Sequence, residues 1–267
     1  MAVVDSLTSA LPKHPASVDA THLSRLAFLS DVHLQATEMP TFRAWSDHLL
    51  HVQADAMFML GDLFEVWVGD DVLLDPQAEF ERDCLQQIHA LSQRMPVYWI
   101  AGNRDFLLGD AACTTAGMQA LNDPCVLLTS GGNYLLSHGD AMCLADTDYL
   151  DFRRMVRSAE WQQAFLAKPL HERLLAAQQM RAQSQARKAT QTEWVDVDTQ
   201  AAVDSLMEHQ ATVLVHGHTH RPADHQMNPT LSRYVLSDWE ADANAPRLQA
   251  FSWQAGRGFE RSALIPS

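Results

Sequence analysis

Five short apolar runs in this sequence each end in a loop that carries Gly or Ser beside Asp, His or Asn. In chain order the loops are Ser30-Asp31-Val32-His33, Gly61-Asp62, Gly102-Asn103-Arg104-Asp105, Ser137-His138-Gly139-Asp140 and His216-Gly217-His218-Thr219-His220. In α/β sheets, ligands bind outside the carboxyl ends of the strands, so loops spread over about 190 positions can converge on one site. The pattern therefore predicts an α/β fold with a polar site at one edge of its sheets.

The spacing of apolar residues places strands and helices around these loops. A strand is predicted before each loop, at 25–29, 56–60, 96–100, 134–136 and 211–215, and two more at 234–236 and 248–253. Helical spacing is present at 42–51 and 79–91. Strands that alternate with helices favour a mainly parallel sheet.

A basic segment interrupts this order. Residues 151–190 contain eight Lys or Arg against three Asp or Glu, whereas the whole chain has a formal charge of −14. Apolar residues in 149–180 recur at helical spacing, with Pro169 between two helices. We interpret residues 144–200 as a helical lid inserted into a domain of residues 25–267, and residues 1–24 as an N-terminal tail.

The lid has two interpretations. Its leucines and aromatic residues are compatible with ordinary helix core, or they line an apolar cleft for acyl chains. Its positive charge favours contact with an anionic diphosphate or an anionic membrane surface. The candidates for the cleft are Trp161, Phe165, Leu166 and Leu170.

Composition excludes several other classes of protein. The strongly acidic balance argues against general nucleic-acid binding, which needs a basic face. The sequence has no apolar stretch of transmembrane length and no signal-peptide pattern. Its four cysteines are scattered without a CxxC pair, which fits a reducing cytosol better than a disulfide framework.

The polar loops carry the chemistry of a metal site. Asp, His and Asn side chains are ligands that Mn2+, Fe or Zn2+ accept. Asp31 with His33, and His218 with His220, stand at i, i+2 spacing, so both members of each pair can reach one ion. One such pair is weak evidence, but five ordered motifs after apolar runs are specific. Two ions about 3.5–4 Å apart can clamp a phosphoryl group and activate a water, and Asp62 is the expected bridging carboxylate.

These motifs resemble those of the calcineurin-like metallophosphoesterases, over residues 31–220. Within that superfamily, two long runs are similar to the diphosphatases that act on UDP-2,3-diacylglucosamine in lipid A synthesis. The runs are Leu60-Gly61-Asp62-Leu63-Phe64-Glu65-Val66-Trp67-Val68-Gly69-Asp70-Asp71 and Gly102-Asn103-Arg104-Asp105-Phe106-Leu107-Leu108-Gly109. The resemblance implies a four-layer α/β/β/α sandwich that hydrolyses this substrate at the α-phosphorus to UMP and 2,3-diacylglucosamine 1-phosphate.

The resemblance also implies roles for individual residues. Asp31, His33, Asp62 and His220 would hold one Mn2+, and Asp62, Asn103, His138 and His218 the other. Arg104, Asp62 and His138 are the expected catalytic residues, with the Arg104 guanidinium on the phosphates. The expected substrate contacts are Asn103, Arg104, Asp146, Tyr149, Ser184, Lys188, Gln191 and His218. Lys188 and Gln191 stand where the family has an asparagine and a lysine, and Asp196-Val197-Asp198 stands where it has Asp-Val-Asn.

Two other functions remain open at this point. A protein of the same fold can act on another nucleotide-sugar diphosphate or on a phosphodiester, and the departures at Lys188 and Gln191 leave room for this. A metal-poor interaction scaffold on the same fold is a third hypothesis, although such a scaffold would have lost ligands that this chain retains. The expected location is the cytoplasmic face of the inner membrane, with peripheral attachment.

Overall fold

Short apolar runs build two mixed sheets that pack face to face. The computed structural model describes residues 14–190 and 195–264, and for residues 183–190 it describes the helical backbone only. The strands are β1 (Ser17–Asp19), β2 (Arg25–Leu29), β3 (Ala56–Leu60), β4 (Val97–Ile100), β5 (Met118–Leu121), β6 (Cys125–Thr129), β7 (Gly132–Ser137), β8 (Val213–His216), β9 (Ala223–Gln226), β10 (Ser232–Val235), β11 (Gln249–Gln254) and β12 (Gly258–Ala263). One sheet has the order β1-β6-β7-β8-β10-β9 and the other β12-β11-β2-β3-β4-β5.

Strands β2 to β5 run parallel to one another, and β7, β8 and β10 do the same in the other sheet. Because side chains alternate across a strand, each of these strands is apolar on both faces. In β2 and β3, for example, Phe28 and Phe58 face the other sheet, while Leu29 and Met59 face the outer helices.

Helices cover the outer face of each sheet. The helices are α1 (Met39–His51), α2 (Glu79–Ser92), α3 (Asp110–Ala116), α4 (Thr147–Val156), α5 (Ala159–Leu166), α6 (Leu170–Thr190) and α7 (Thr199–Glu208), with two 3₁₀ helices at Asp70–Leu74 and Asp140–Met142. α1 and α2 pack on the β2–β5 face, and α7 packs on the β7–β8 face. The order helix, sheet, sheet, helix confirms the predicted four-layer sandwich.

Three helices, α4 to α6, occupy most of the range predicted as a lid. α6 begins directly after Pro169, as expected, but a second break precedes α5, where Ser158 caps the helix by accepting from the Trp161 amide. Phe165 is buried in the main core, and Trp161 and Leu170 pack against the same core. The apolar stripe therefore contributes to helix packing, while Leu166 stays exposed.

Two contacts tie α6 and the N-terminal residues to the sandwich. Arg173 on α6 is 1% exposed; it donates to the Val68 carbonyl and forms an ion pair with Asp71 in the first 3₁₀ helix. Ser17–Asp19, within the range predicted as a tail, forms an edge strand parallel to β6. Among the described helices, none combines the length and hydropathy that a bilayer crossing requires.

Candidate metal centre

The predicted ligands meet at one edge of the two sheets. They follow β2, β3, β4, β7 and β8 as Asp31 and His33, Asp62, Asn103, His138, and His218 and His220. Five of these seven residues have left-handed backbone, with φ between 51° and 69°. Such a conformation costs a non-glycine residue about 1–3 kcal/mol and persists where the surrounding structure enforces it, which is common at functional sites. The strain is therefore concentrated on the candidate ligands.

The loops approach one another too closely for extra side chains. A Cβ atom at Gly102 would overlap the backbone and carboxylate of Asp62. Glycine at this position therefore lets the loop after β4 lie directly against the loop after β3.

One group of donor atoms combines Asp31, His33 and His220. The Nε2 atoms of the two histidines lie 3.1 Å apart. Asp31 Oδ1 lies 4.0 Å from His33 Nε2 and 3.4 Å from His220 Nε2. One donor atom of each residue lies within 4.8 Å of the other two, so the three can hold a single ion.

A second group combines Asp31, Asp62 and His138, again with donor atoms within 4.8 Å of one another. His138 Nε2 lies 3.7 Å from Asp62 Oδ2 and 3.0 Å from Asn103 Oδ1. Asn103 Oδ1 also lies 2.8 Å from His218 Nδ1, which links that imidazole to the group. Asp31 is the carboxylate common to both groups, whereas the bridging role expected for Asp62 stays a prediction.

The outer nitrogens of three imidazoles face fixed acceptors. His33 Nδ1 lies 2.9 Å from Glu65 Oε2, and His220 Nδ1 lies 3.5 Å from Asp238 Oδ2. His138 Nδ1 lies 2.9 Å from the Leu60 carbonyl oxygen. Partners of this kind orient metal-binding histidines and leave the inner nitrogen free to ligate.

Buried charges dominate the electrostatics of the site. Burial lowers the pKa of His138, but the carboxylates of Asp62, Asp31 and Asp140 outweigh it and raise that pKa to about 9. Burial raises the pKa of Asp31, but a hydrogen bond from His220 and the nearby imidazoles hold it far below its usual value. The carboxylates thus favour positive charge at the point where the donor atoms converge.

This donor set fits divalent metal ions. It combines carboxylate and amide oxygens with imidazole nitrogens, the hard and borderline ligands that such ions prefer. Asp31, Asp62 and His138 are almost completely buried, which is costly for charged groups without opposite charge nearby.

Comparison with known proteins decides the family. Residues 24–222 match the model of the calcineurin-like phosphoesterases. This chain belongs to that family. The predicted family is therefore confirmed over about three quarters of the sequence.

Its relatives agree with this assignment. A protein of Chromohalobacter salexigens named UDP-2,3-diacylglucosamine hydrolase is 37% identical over 85% of this chain and 97% of its own length. Proteins with the same name from Bordetella pertussis and Aeromonas hydrophila are each 42% identical, over 82% and 79% of this chain and 87% and 89% of their own lengths. A dimetal phosphatase from Danio rerio aligns over 91% of this chain and 99% of its own with a TM-score of 0.50; at 12% identity it supports the fold alone.

In this calcineurin-like phosphoesterase, Arg104 lies beside both donor groups. Its amide donates to Asp62 Oδ1 at 2.8 Å, and its guanidinium lies 3.4 Å from Glu65 Oε1. Asp105, the next residue, is fully buried and accepts from the amides of Gly102 and Leu63. Burial and the charge of Asp62 raise the pKa of Asp105 to about 6. Asp105 thus ties the third loop to the second and positions Arg104.

The first lid helix contacts the second donor group. The Tyr149 ring stacks on the His218 ring with centroids 5.8 Å apart, and its hydroxyl donates to Asp140 at 2.5 Å. Arg153 donates to the same carboxylate at 2.8 Å. Asp146, an expected substrate contact, caps α4 by accepting from the Tyr149 amide. Asp140 therefore anchors α4 beside the site.

Sequence reasoning missed the carboxylates that support the ligands. Glu65 and Asp238 were not singled out, although Glu65 lies within a run quoted for the family resemblance. Asp70 and Asp71, at the end of the first long run, both have structural partners. Asp70 accepts from Trp67 Nε1 and from the Gly109 and Ala112 amides, and so joins the two long runs.

Three expected substrate residues lie outside the described part of the chain. They are the side chains of Ser184 and Lys188 and the whole of Gln191. The departure at Asp198 has a simple role, because its side chain caps α7 by accepting from the Ala201 amide, as asparagine also does. His216 is fully buried with Nδ1 2.8 Å from the Gly217 oxygen, and burial lowers its pKa to about 4.

Proposed function

We propose that this chain hydrolyses UDP-2,3-diacylglucosamine at the α-phosphorus. A bond forms between a water oxygen and the α-phosphorus, and the bond from that phosphorus to the bridging oxygen breaks. The products are UMP and 2,3-diacylglucosamine 1-phosphate. The observation that carries the proposal is the identity of 37–42% with hydrolases of this name over 79–85% of the chain.

Seven residues would hold two divalent ions. Asp31, His33, Asp62 and His220 would hold one, and Asp62, Asn103, His138 and His218 the other. When bound, such ions stabilise negative charge on phosphoryl oxygens and make a water more acidic. We propose Mn2+, because carboxylate and amide oxygens contribute three of the seven donor side chains.

The protein's own groups position the substrate. We propose that Arg104 binds the phosphoryl oxygens, because its guanidinium is held at the site by Glu65 and its amide by Asp62. Asn103 and His218 lie within the second donor group, where they can also contact the substrate. Asp146, Tyr149, Ser184, Lys188 and Gln191 are proposed contacts of the sugar and its phosphate. Among these proposed contacts Tyr149 has the strongest support, since its ring stacks on the ring of His218.

We also propose peripheral contact with an anionic membrane surface at the cytoplasmic face of the inner membrane. The lid helices present exposed apolar side chains, with Met155 50% and Leu175 55% exposed, and exposed Arg154 directly precedes Met155. Apolar side chains beside cations can insert at a headgroup boundary while the cations bind anionic lipids. Co-sedimentation with vesicles containing phosphatidylglycerol should weaken for Met155→Ser/Leu175→Ser and stay unchanged for Met207→Ser, which is exposed on α7.

The decisive experiment is hydrolysis of UDP-2,3-diacylglucosamine with added Mn2+, beside a generic phosphodiester. Release of UMP by the wild type, and its loss in Asp62→Ala, is the expected result. Turnover of the generic ester alone would retain the metal site and assign another substrate. No metal-dependent turnover of either compound would favour a scaffold.

A further inference from the structure

A polar cleft opens beside the first donor group. Its volume is about 350 Å³, within the range of small-molecule sites. His33, His220 and Arg104 are among the residues that line it. The segment before α1 contributes Gln35 and Glu38, and the loop between β10 and β11 contributes Arg247.

The lining of this cleft excludes acyl chains. Glu38, Glu65, Glu240, Arg104, Arg181 and Arg247 all line it, and burying such groups under hydrocarbon is costly. Tyr149 and His218 are not among its lining residues, so the cleft borders the opposite donor group from the lid helix α4. The site thus has two differently built approaches: the polar cleft, to which α6 contributes Arg181, and the side of α4, where the Tyr149 ring lies on His218.

Two of the lining side chains have unused hydrogen-bond donors or acceptors. Within the described chain, the side chains of Gln35 and Glu38 form no hydrogen bond or ion pair, and both are half-buried. A glutamine amide offers a donor and an acceptor side by side, which complements the N3–H and O4 edge of a pyrimidine. A carboxylate accepts hydrogen bonds from ribose hydroxyls, as acidic residues do in dinucleotide sites.

We infer that this cleft binds the nucleoside monophosphate half of the substrate, with Gln35 on the base and Glu38 on the ribose. The inference rests on the proposed function. Hydrolysis at the α-phosphorus divides the substrate into UMP and an acylated sugar phosphate, so both halves must reach the metal centre together. The acylated half is assigned to the side of α4, and Arg104, which lines the cleft and donates its amide to Asp62, is assigned to the α-phosphate between the two halves.

Product inhibition of the Mn2+-loaded enzyme separates the two halves. In Gln35→Ala and Glu38→Gln, the inhibition constant of UMP should rise about five- to tenfold, the range for one lost hydrogen bond to a ligand. That of 2,3-diacylglucosamine 1-phosphate should stay within twofold. Gln93→Ala is the matched control. Gln93 follows α2, near the amino ends of the strands and away from the site, so the change should leave both inhibition constants unchanged.

A second comparison tests the base contact. Ribose 5-phosphate has no base, so its inhibition constant should be unchanged in Gln35→Ala and should rise in Glu38→Gln. Unchanged UMP inhibition in both cleft variants, or a rise confined to the acylated product, would overturn the assignment of the cleft. Absence of UMP release by the wild type would instead overturn the proposed function itself, which keeps the two failures distinct.

Discussion

Glu65 connects the candidate metal centre to two arginines. Its replacement by glutamine should impair both metal binding and the positioning of the arginines. Glu65 is 7% exposed. Its Oε2 atom lies 2.9 Å from His33 Nδ1, and its Oε1 atom lies 2.8 Å from Arg181 Nε and 3.4 Å from Arg104 Nη1. Burial raises the pKa of Glu65, but His33 and the two arginines outweigh it and hold the pKa below its usual value.

The magnitude follows from the geometry. A glutamine has the same shape but only one acceptor oxygen, while its other terminal atom is a donor. If the oxygen faces His33, the amide nitrogen faces two guanidinium groups; if the amide is reversed, the nitrogen faces the imidazole. Either orientation loses at least one hydrogen bond to a charged group, worth about 1.5–3 kcal/mol. We therefore expect Glu65→Gln to weaken Mn2+ binding or kcat/KM by about 10–100-fold, as is common for partners of metal-binding histidines.

The assay needs a readout apart from turnover. Titration calorimetry of the metal-stripped protein with Mn2+ measures affinity directly, and thermal unfolding checks that the variant is folded. Glu208→Gln, at an exposed position on α7, is the matched control. Mn2+ affinity and kcat/KM within twofold of the wild type in Glu65→Gln would falsify the argument that this carboxylate orients His33 and Arg104.

Three further predictions concern stability and the thiols. Phe58 is fully buried between the sheets and stacks on Phe28 and Tyr98. Phe58→Ala should therefore lower the free energy of unfolding by about 3–5 kcal/mol and Tm by about 6–20 °C, measured by calorimetry. A drop in Tm of under about 3 °C would contradict this packing. All four cysteines are buried, and burial raises the pKa of Cys113, Cys125 and Cys143 to about 12. At pH 8, Ellman's reagent should therefore titrate no thiols in the native protein and four in guanidinium. Rapid reaction of the native protein would refute this. Burial against Trp239 lowers the pKa of His48 to about 4, so at this residue the unfolded chain binds an extra proton below about pH 6.5. The contribution of His48 to stability should therefore fall by up to about 2 kcal/mol between pH 7 and pH 5. Urea unfolding of wild type and His48→Gln at pH 7 and pH 5 tests this, since the variant should lose less stability on acidification. Equal losses in the two proteins would contradict the assignment of this effect to His48.

Local sequence determined the central strands and the loops after them. The predicted strands at 25–29 and 56–60 coincide with β2 and β3, and α2 extends one residue beyond the predicted 79–91. These elements are buried and strongly periodic, so the pattern of apolar residues specifies them without knowledge of their neighbours. The candidate ligands were found for the same reason, because each follows such a strand directly.

Short peripheral strands were not predicted. β1, β5, β9 and β12 lie at the edges of the two sheets. Edge strands depend on pairing with a neighbour more than on their own composition. In β9 and β12 no residue is fully buried, so the alternation that reveals a strand is weak.

Only the tertiary structure decided which charged residues support the site. Nothing in the local sequence pairs Asp238 with His220, or Glu65 with both His33 and Arg181 on a lid helix. Those pairs depend on strand register and helix placement, which bring residues together through space. The sequence alone indicated an α/β fold from short-range periodicity, and the motifs and their family resemblance supplied the four-layer arrangement and the candidate ligands. The orientation of those ligands was decided by the packing of the whole chain, because carboxylates far apart in sequence hold them.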